Sequence, residues 1–406
     1  MKQELGADGK LTGVEADEDV EIKEPFDPES ISIEARLVSV DNLIRRLIKG
    51  TIRLATPFQR NEVWDRTRQS RLIESLMLKI PLPTFYVSAD RKENWDVVDG
   101  LQRISTIKEF VLGNEFMETR DDSKRGEGFL LEDLEFLGDR CNKKIFKDLP
   151  GKLQDNILDT EFRFTQINPG TPEDVKRNIF KRINTGGMPL TAQEIRHALY
   201  EGKSSKLMSE LVTSSEFKES TGGGVDDSRM AARELVLRFL AFSVHNYENY
   251  SKKHNMDEFL CDTMRIINIM PELNEKDLKA IFKDRPVRPI PQIICKDINI
   301  LRKRFLDGMT RAFKLFGEHT FRKSYKERRQ SPINKTLFEV WGNVLADLDN
   351  TQFDMLINKK DSFLEDYRSI LDTPWFPNFI SRYGSLYTQV QERYHLFKDL
   401  LRTYTC

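Results

Sequence analysis

The sequence predicts an α+β domain over residues 35–202 followed by an all-helical domain over 203–406, on three observations. Between residues 36 and 202 short β-rich runs alternate with amphipathic helical stretches, whereas beyond 203 helical periodicity continues almost without a break. A DG pair at residues 99–100 joins a β-rich run directly to a helical one, and GGG at 222–224 marks the clearest hinge. A chain of 406 residues that is 39% hydrophobic is also long enough for about two cores.

The elements follow in order. Residues 1–30 hold ten acids against three bases, a net of −7, which leaves +6 for the rest of a chain whose total is −1. With no apolar periodicity, residues 1–34 read as an acidic disordered tail. Residues 41–49 look helical, and TRQSRLIESLMLKI is amphipathic through Leu72, Ile73, Leu76, Met77 and Ile80. Pro81 and Pro83 stop it and lead into two β-rich runs, TFYVS and NWDVV. DGLQRISTIKEFVLG is next, a helix with Ile104, Ile107 and Val111 on one face and Gly113 as its stop. Residues 114–148 are charge-rich and aperiodic, an insertion. Pro150 opens a further helix, TEFRFTQI alternates as a half-buried strand, and PEDVKRNIFKRINTGG is helical. Thr191 and Glu194 form a T-x-x-E capping box ahead of AQEIRHALY.

Composition excludes several classes. Charged residues make up 32%, no apolar run approaches a membrane span, and the acidic N-terminus lacks a signal peptide's basic and apolar regions, which places the protein in the cytoplasm with no membrane partner. Cys141, Cys261, Cys295 and Cys406 form no CxxC pair, so they are expected to be reduced and structural. The five histidines are spread widely, and HNYENYSKKHN, which groups His245 and His254, is expected to be a polar surface. No Walker A loop, G-x-S-x-G elbow or Cys-His nucleophile pattern occurs.

Chemistry concentrates in WDVVDGLQR, residues 95–103. A glycine between strand and helix permits a sharp turn and close backbone approach, while the helix's first N–H groups and dipole attract an anion such as phosphate. Arg103 lies in the first turn, where its planar fork can pair with phosphate oxygens, and Gln102 can hydrogen-bond a sugar or water. Asp99 suits a magnesium ligand, a water-orienting group or a helix cap. On spacing alone, a capping Asp99 and a surface Arg103 are the favoured reading, because DG plus an arginine is a weak pattern.

Context adds to this. PFQRNEVWDRTRQSRLIESLMLKIPLPTFYV, then DGLQR, then FKRINTGGMPLTAQEI, in that order and spacing, resemble the N-terminal domain family of GmrSD-type restriction systems over roughly residues 38 to 200. The family's motifs stand here as Phe58-Gln59-Arg60 with Trp64, Ser75 with Pro81 and Pro83, and Phe180 to Asn184 followed by Gly187-Met188-Pro189-Leu190-Thr191. Weaker similarity to the family's stand-alone helical extension continues through ARELVLRFLAF and SPINKTLFEVW. The resemblance implies a ParB/sulfiredoxin-like fold in which Asp99, Gly100, Gln102 and Arg103 line a nucleotide site, with Gln59 and Arg60 as a second polar arm. It also implies a nucleoside triphosphate (GTP, ATP or CTP) with magnesium as cofactors, and a role in sensing DNA. The family's signature is DGQQR. Leu101 stands here in place of its first glutamine, which puts hydrolysis in doubt and leaves binding untouched.

Two basic stretches complete the candidates. Lys181 and Arg182, with Lys176 and Arg177, lie opposite the apolar Val175, Ile179 and Ile183, and Asn184 ends the helix beside two glycines. Arg322, Lys323, Lys326, Arg328, Arg329 and Lys335 surround Phe321 and Tyr325 in a stripe that suits nucleic-acid backbone, with a charged interhelix connection as the equal alternative. The first expectation is therefore a nucleotide-binding regulatory or sensor protein of a prokaryotic DNA restriction or defence system, with or without NTP hydrolysis. Its partners would be nucleotide, DNA and a separately encoded nuclease or methyltransferase, and a homo-oligomer is compatible with the sequence. The alternatives are a ParB-like metal-dependent DNA nuclease and a non-catalytic DNA-binding adaptor.

Overall fold

A computed structural model describes residues 3–6, 9–16, 32–54, 64–90, 92–183, 190–250, 255–282, 292–325, 329–381 and 386–405, with backbone alone at 173–174 and 181–183. The chain divides into two compact units, residues 25–190 and residues 1–24 with 191–406. The architecture is α+β, a mixed sheet with helices in the N-terminal region and helices throughout the C-terminal part.

The first elements correct the expected tail. Strands β1 (Gln3–Leu5) and β2 (Leu11–Glu15) form an antiparallel hairpin. Val14 is fully buried in the core of the helical unit, so residues 3–15 include ordered structure that the acidic composition concealed.

The 25–190 unit is built on a five-stranded sheet of order β3-β7-β5-β6-β4. Its elements run β3 (Ile33–Ser39), α1 (Val40–Ile48), β4 (Ile52–Arg53), α2 (Arg66–Met77), β5 (Phe85–Ala89), β6 (Trp95–Asp99) and α3 (Leu101–Leu112). They continue through α4 (Asn114–Thr119), α5 (Gly138–Cys141), α6 (Gly151–Asp159), β7 (Glu161–Ile167) and α7 (Glu173–Ile183). β7 pairs antiparallel with β3 and parallel with β5, while β6 pairs antiparallel with β5 and parallel with β4. Ser39 and Asp65 cap α1 and α2 through their side-chain oxygens, as residues of these types do when the first helical amides lack partners. α2 also anchors the aperiodic 114–148 stretch, because buried Glu74 accepts from the amides of Glu135, Phe136 and Leu137 at 2.7–2.9 Å. The core lies among α1, α2, α3 and the strands, with Phe85, Trp95, Phe110 and Phe164 fully or almost fully buried.

The helical unit contains, among the described residues, α8 (Ala192–Leu199), α9 (Lys203–Thr213), α10 (Ser215–Thr221), α11 (Ala231–Val244), α12 (Met256–Ile269) and α13 (Glu275–Ile281). After these come α14 (Ile298–Phe316), α15 (Lys335–Ala346), α16 (Asn350–Asn358), α17 (Lys360–Leu371), α18 (Phe376–Ser381) and α19 (Tyr387–Thr405). Thr191 and Glu194 close the capping box on α8, which packs with this unit rather than ending the α+β region at 202. Every residue of α11 is buried, which marks it as the central helix. α14 and α15 cross where neither has a side chain: a Cβ on Gly308 would stand 2.6 Å from the Gly342 carbonyl oxygen. His245, expected on a polar surface, is buried with its ring 5.0 Å from that of Phe259, because α11 carries it inward at its C-terminal end. Cys141, Cys261 and Cys295 are buried and form no disulfide among the described residues.

Candidate functional site

β6 delivers Asp99 to the edge of a turn that only glycine suits. Gly100 takes φ +94°, and a Cβ there would lie 2.4 Å from Cδ1 of Phe85. The Phe85 ring packs on Phe162 and Phe164, at centroid distances of 4.8 and 5.1 Å, so the floor beneath the turn is rigid and aromatic. Gly100 is also the N-cap of α3 and offers no side-chain acceptor to the helix's first amides. The turn thus presents an N-terminus of a twelve-residue helix uncapped by its own N-cap residue, the local arrangement that favours an anion.

Asp99 and Arg103 are brought together beside it. Arg103 Nη2 donates to Asp99 Oδ2 at 3.0 Å and to the Thr84 carbonyl at 3.3 Å, and Nη1 donates to the Pro83 carbonyl. Its guanidinium carbon lies 4.2 Å from the centroid of the Phe85 ring. Burial pushes the guanidinium's pKa down and the Asp99 carboxylate holds it up. Arginine keeps its charge through such opposition. Arg103 is therefore no loose surface residue. It clamps the Pro83–Thr84 approach to β5 against α3, with three of its five N–H donors directed at protein acceptors. Gln102 is half-buried in the same first turn. Asp99 is the more exposed member of the pair, at 37% against 12% for the Arg103 side chain.

The other candidates separate into three groups. Gln59, Arg60, Asn184, Lys326 and Arg328 lie outside the described residues, as do the side chains of Lys181 and Arg182. Arg329 is exposed. Arg322, Lys323 and Lys335 depart from the expected open stripe, because each is turned into the helical unit and bonded there. Arg322 donates to the carbonyls of Ser331 and Thr221, Lys323 to Glu15 at 2.5 Å and to Ser381, and Lys335 to Glu4 and Glu234 at 2.7 and 2.8 Å. Phe321 is buried and Tyr325 donates to Asp372, so neither aromatic is offered to a base.

Sequence reasoning missed the partners rather than the turn. The Pro83 and Thr84 carbonyls and the Phe85 ring, all contacts of Arg103, lie within PLPTF, which runs into the β-rich TFYVS. Glu4, Glu15 and Ser381 are separated from the basic residues they hold by up to 331 positions, a distance at which no local pattern operates. Among the described residues no three His, Cys, Asp or Glu side chains converge as a metal site. A magnesium ion at Asp99 would draw its remaining ligands from water and phosphate, as that ion commonly does. Nor is any helix among these residues long and apolar enough to cross a membrane.

Residues 42–201 match the family model described as GmrSD restriction endonuclease, N-terminal domain. Comparison with curated proteins found no match, and neither did comparison with solved structures. The matched segment contains β6, the Gly100 turn, Arg103 and the Thr191 box. Over residues 42–201 the chain is thus similar to the N-terminal domain of GmrSD restriction endonucleases.

Proposed function

We propose that the chain is a nucleotide-binding regulatory or sensor protein of a DNA restriction or defence system, acting on or near DNA with a separately encoded nuclease or methyltransferase. The β6–α3 turn is its phosphate site. The observation that carries this reading is the convergence at Gly100 of an α3 N-terminus without a side-chain cap and the Asp99–Arg103 pair. In this reading Asp99 and Arg103 form a preset neutral pair that parts on binding, the carboxylate serving magnesium and the guanidinium the phosphates. The Pro83 and Thr84 carbonyls meanwhile keep the guanidinium at the turn. Gln102 adds an amide in the same turn. Lys181, Arg182, Asn184, Gln59 and Arg60 are the further candidates for holding the nucleotide. Leu101 brings no amide, so binding is the proposed activity and hydrolysis the part a turnover assay decides.

Calorimetry with GTP, ATP and CTP in the presence of magnesium tests this. Binding of at least one nucleotide is expected, weakened tenfold or more, about 1.4 kcal/mol, by Arg103→Ala. Because Arg103 also clamps the Pro83–Thr84 segment, circular dichroism must show the variant folded. A folded Arg103→Ala protein with native affinity would overturn the assignment, as would the failure of all three nucleotides to bind the native protein.

A further inference from the structure

The N-terminal hairpin places two carboxylates on the basic residues of the helical unit. Glu15 Oε1 accepts from Lys323 Nζ at 2.5 Å and from Ser381 Oγ at 3.0 Å, and its Oε2 accepts from Asn334 Nδ2 at 2.9 Å. Glu4 Oε1 accepts from Lys335 Nζ at 2.7 Å. An ammonium, an amide and a hydroxyl from three separate segments thus surround one carboxylate, a donor set that serves phosphate oxygens equally well.

The attachment has the character of a clasp. Three backbone hydrogen bonds, Glu15 N–H to Ile333, Ile333 N–H to Gly13 and Asp226 N–H to Thr12, together with buried Val14, hold it to the helical unit. Strands of three and five residues do not persist as an isolated hairpin, so its order depends on that docking. Leu5 and Leu11 point outward, 53% and 60% exposed. Ion pairs at such sites contribute little to stability compared with apolar contacts, because desolvation offsets their attraction. Two of them on one short hairpin are better explained by what the lysines would otherwise bind.

We infer that the hairpin is an acidic clasp whose Glu15 occupies a phosphate-binding site of Lys323, Asn334 and Ser381, with Glu4 sharing Lys335 with Glu234 beside it, and that duplex DNA backbone displaces it. The inference rests on the DNA part of the proposed function and is independent of nucleotide at the Gly100 turn. The double variant Glu4→Gln, Glu15→Gln keeps the hairpin's backbone and apolar contacts while removing the competing charges. It is expected to bind a duplex oligonucleotide about tenfold more tightly than the native protein at low salt, and Lys323→Gln added to it should cancel the gain. In the native protein, saturating oligonucleotide should speed amide exchange at Glu15 and Ile333, a measurement that does not depend on any variant folding. Equal affinity of native and double-variant proteins, or unchanged exchange at those amides, would overturn the clasp while leaving DNA binding intact. Absence of DNA binding in every form would overturn both the clasp and the DNA part of the proposed function.

Discussion

Gly100 carries two demands at once, and each alone excludes a side chain. Its φ of +94° strains any L-residue, and the Phe85 ring occupies the volume a Cβ would need. Gly100→Ala is expected to destabilise the 25–190 unit by about 2–4 kcal/mol, since backbone strain and overpacking each contribute at the 1–3 kcal/mol scale. Amide exchange of β5, β6 and α3 in urea measures this, and a loss under about 0.5 kcal/mol would show that the turn relaxes freely. His197 supplies a second residue-scale test. Burial, helped by the nearby Arg233 charge, lowers its pKa from 6.5 to about 4, and neither ring nitrogen has a hydrogen-bond partner among the described residues. Between those two values the unfolded chain binds the proton that the folded chain refuses, so this contribution to stability is complete above about pH 6.5 and declines as pH falls towards 4. The full decline is on the order of 3–4 kcal/mol. Denaturation at pH 7 and pH 4.5 should show the decline in the native protein and a flatter dependence in His197→Gln. Equal slopes in the two proteins would mean that other groups set the acid sensitivity.

At the scale of elements, legibility tracked how local the cause is. β6, the DG turn and α3 were readable because a β-rich run, a glycine and a helical apolar face follow one another within eighteen residues, 95–112. The Thr191–Glu194 box was readable for the same reason, its whole chemistry spanning four residues. β3 was missed because it adjoins the acidic stretch read as a tail; Ile33, Ala35 and Leu37 alternate with Glu34 and Arg36, yet in the structure these apolar residues are exposed. It is a strand because all seven residues pair with β7 more than a hundred positions later. The hairpin was missed for a different reason. Ten acids in thirty residues dominated the reading of 1–30, although GADG between QEL and KLTGVE is an ordinary two-strand turn signal. Its order comes from buried Val14 and from backbone hydrogen bonds to Ile333 and Asp226, far along the chain. The candidate site divides likewise: Asp99, Gly100 and Arg103 were legible from one short motif, whereas the inward turn of Lys323 and Lys335 depends on acids at the far end of the chain.

At the scale of the whole molecule, the chain leaves the helical unit after residue 24, builds the sheet-containing unit and returns at 191. The two buried cores share no residue: one draws on residues from Val38 to Phe164, the other on Val14 and on residues from Tyr200 to Tyr404. Separate cores of this size should lose structure in separate cooperative steps, so a single two-state description is not expected to fit the full chain. Phe110, fully buried against Phe129 in the first core, provides the discriminating variant. Phe110→Ala should cost the 25–190 unit about 3–5 kcal/mol, the usual penalty for emptying a buried aromatic site. Amide exchange read segment by segment under mild denaturant should then show α1, α3 and the five-stranded sheet opening earlier, while α11, α14 and α15 keep native protection. If α11 and α15 lose protection by the same amount as α3, the two cores unfold as one, and a ligand bound at the Gly100 turn would stabilise the helical unit directly through that shared cooperativity.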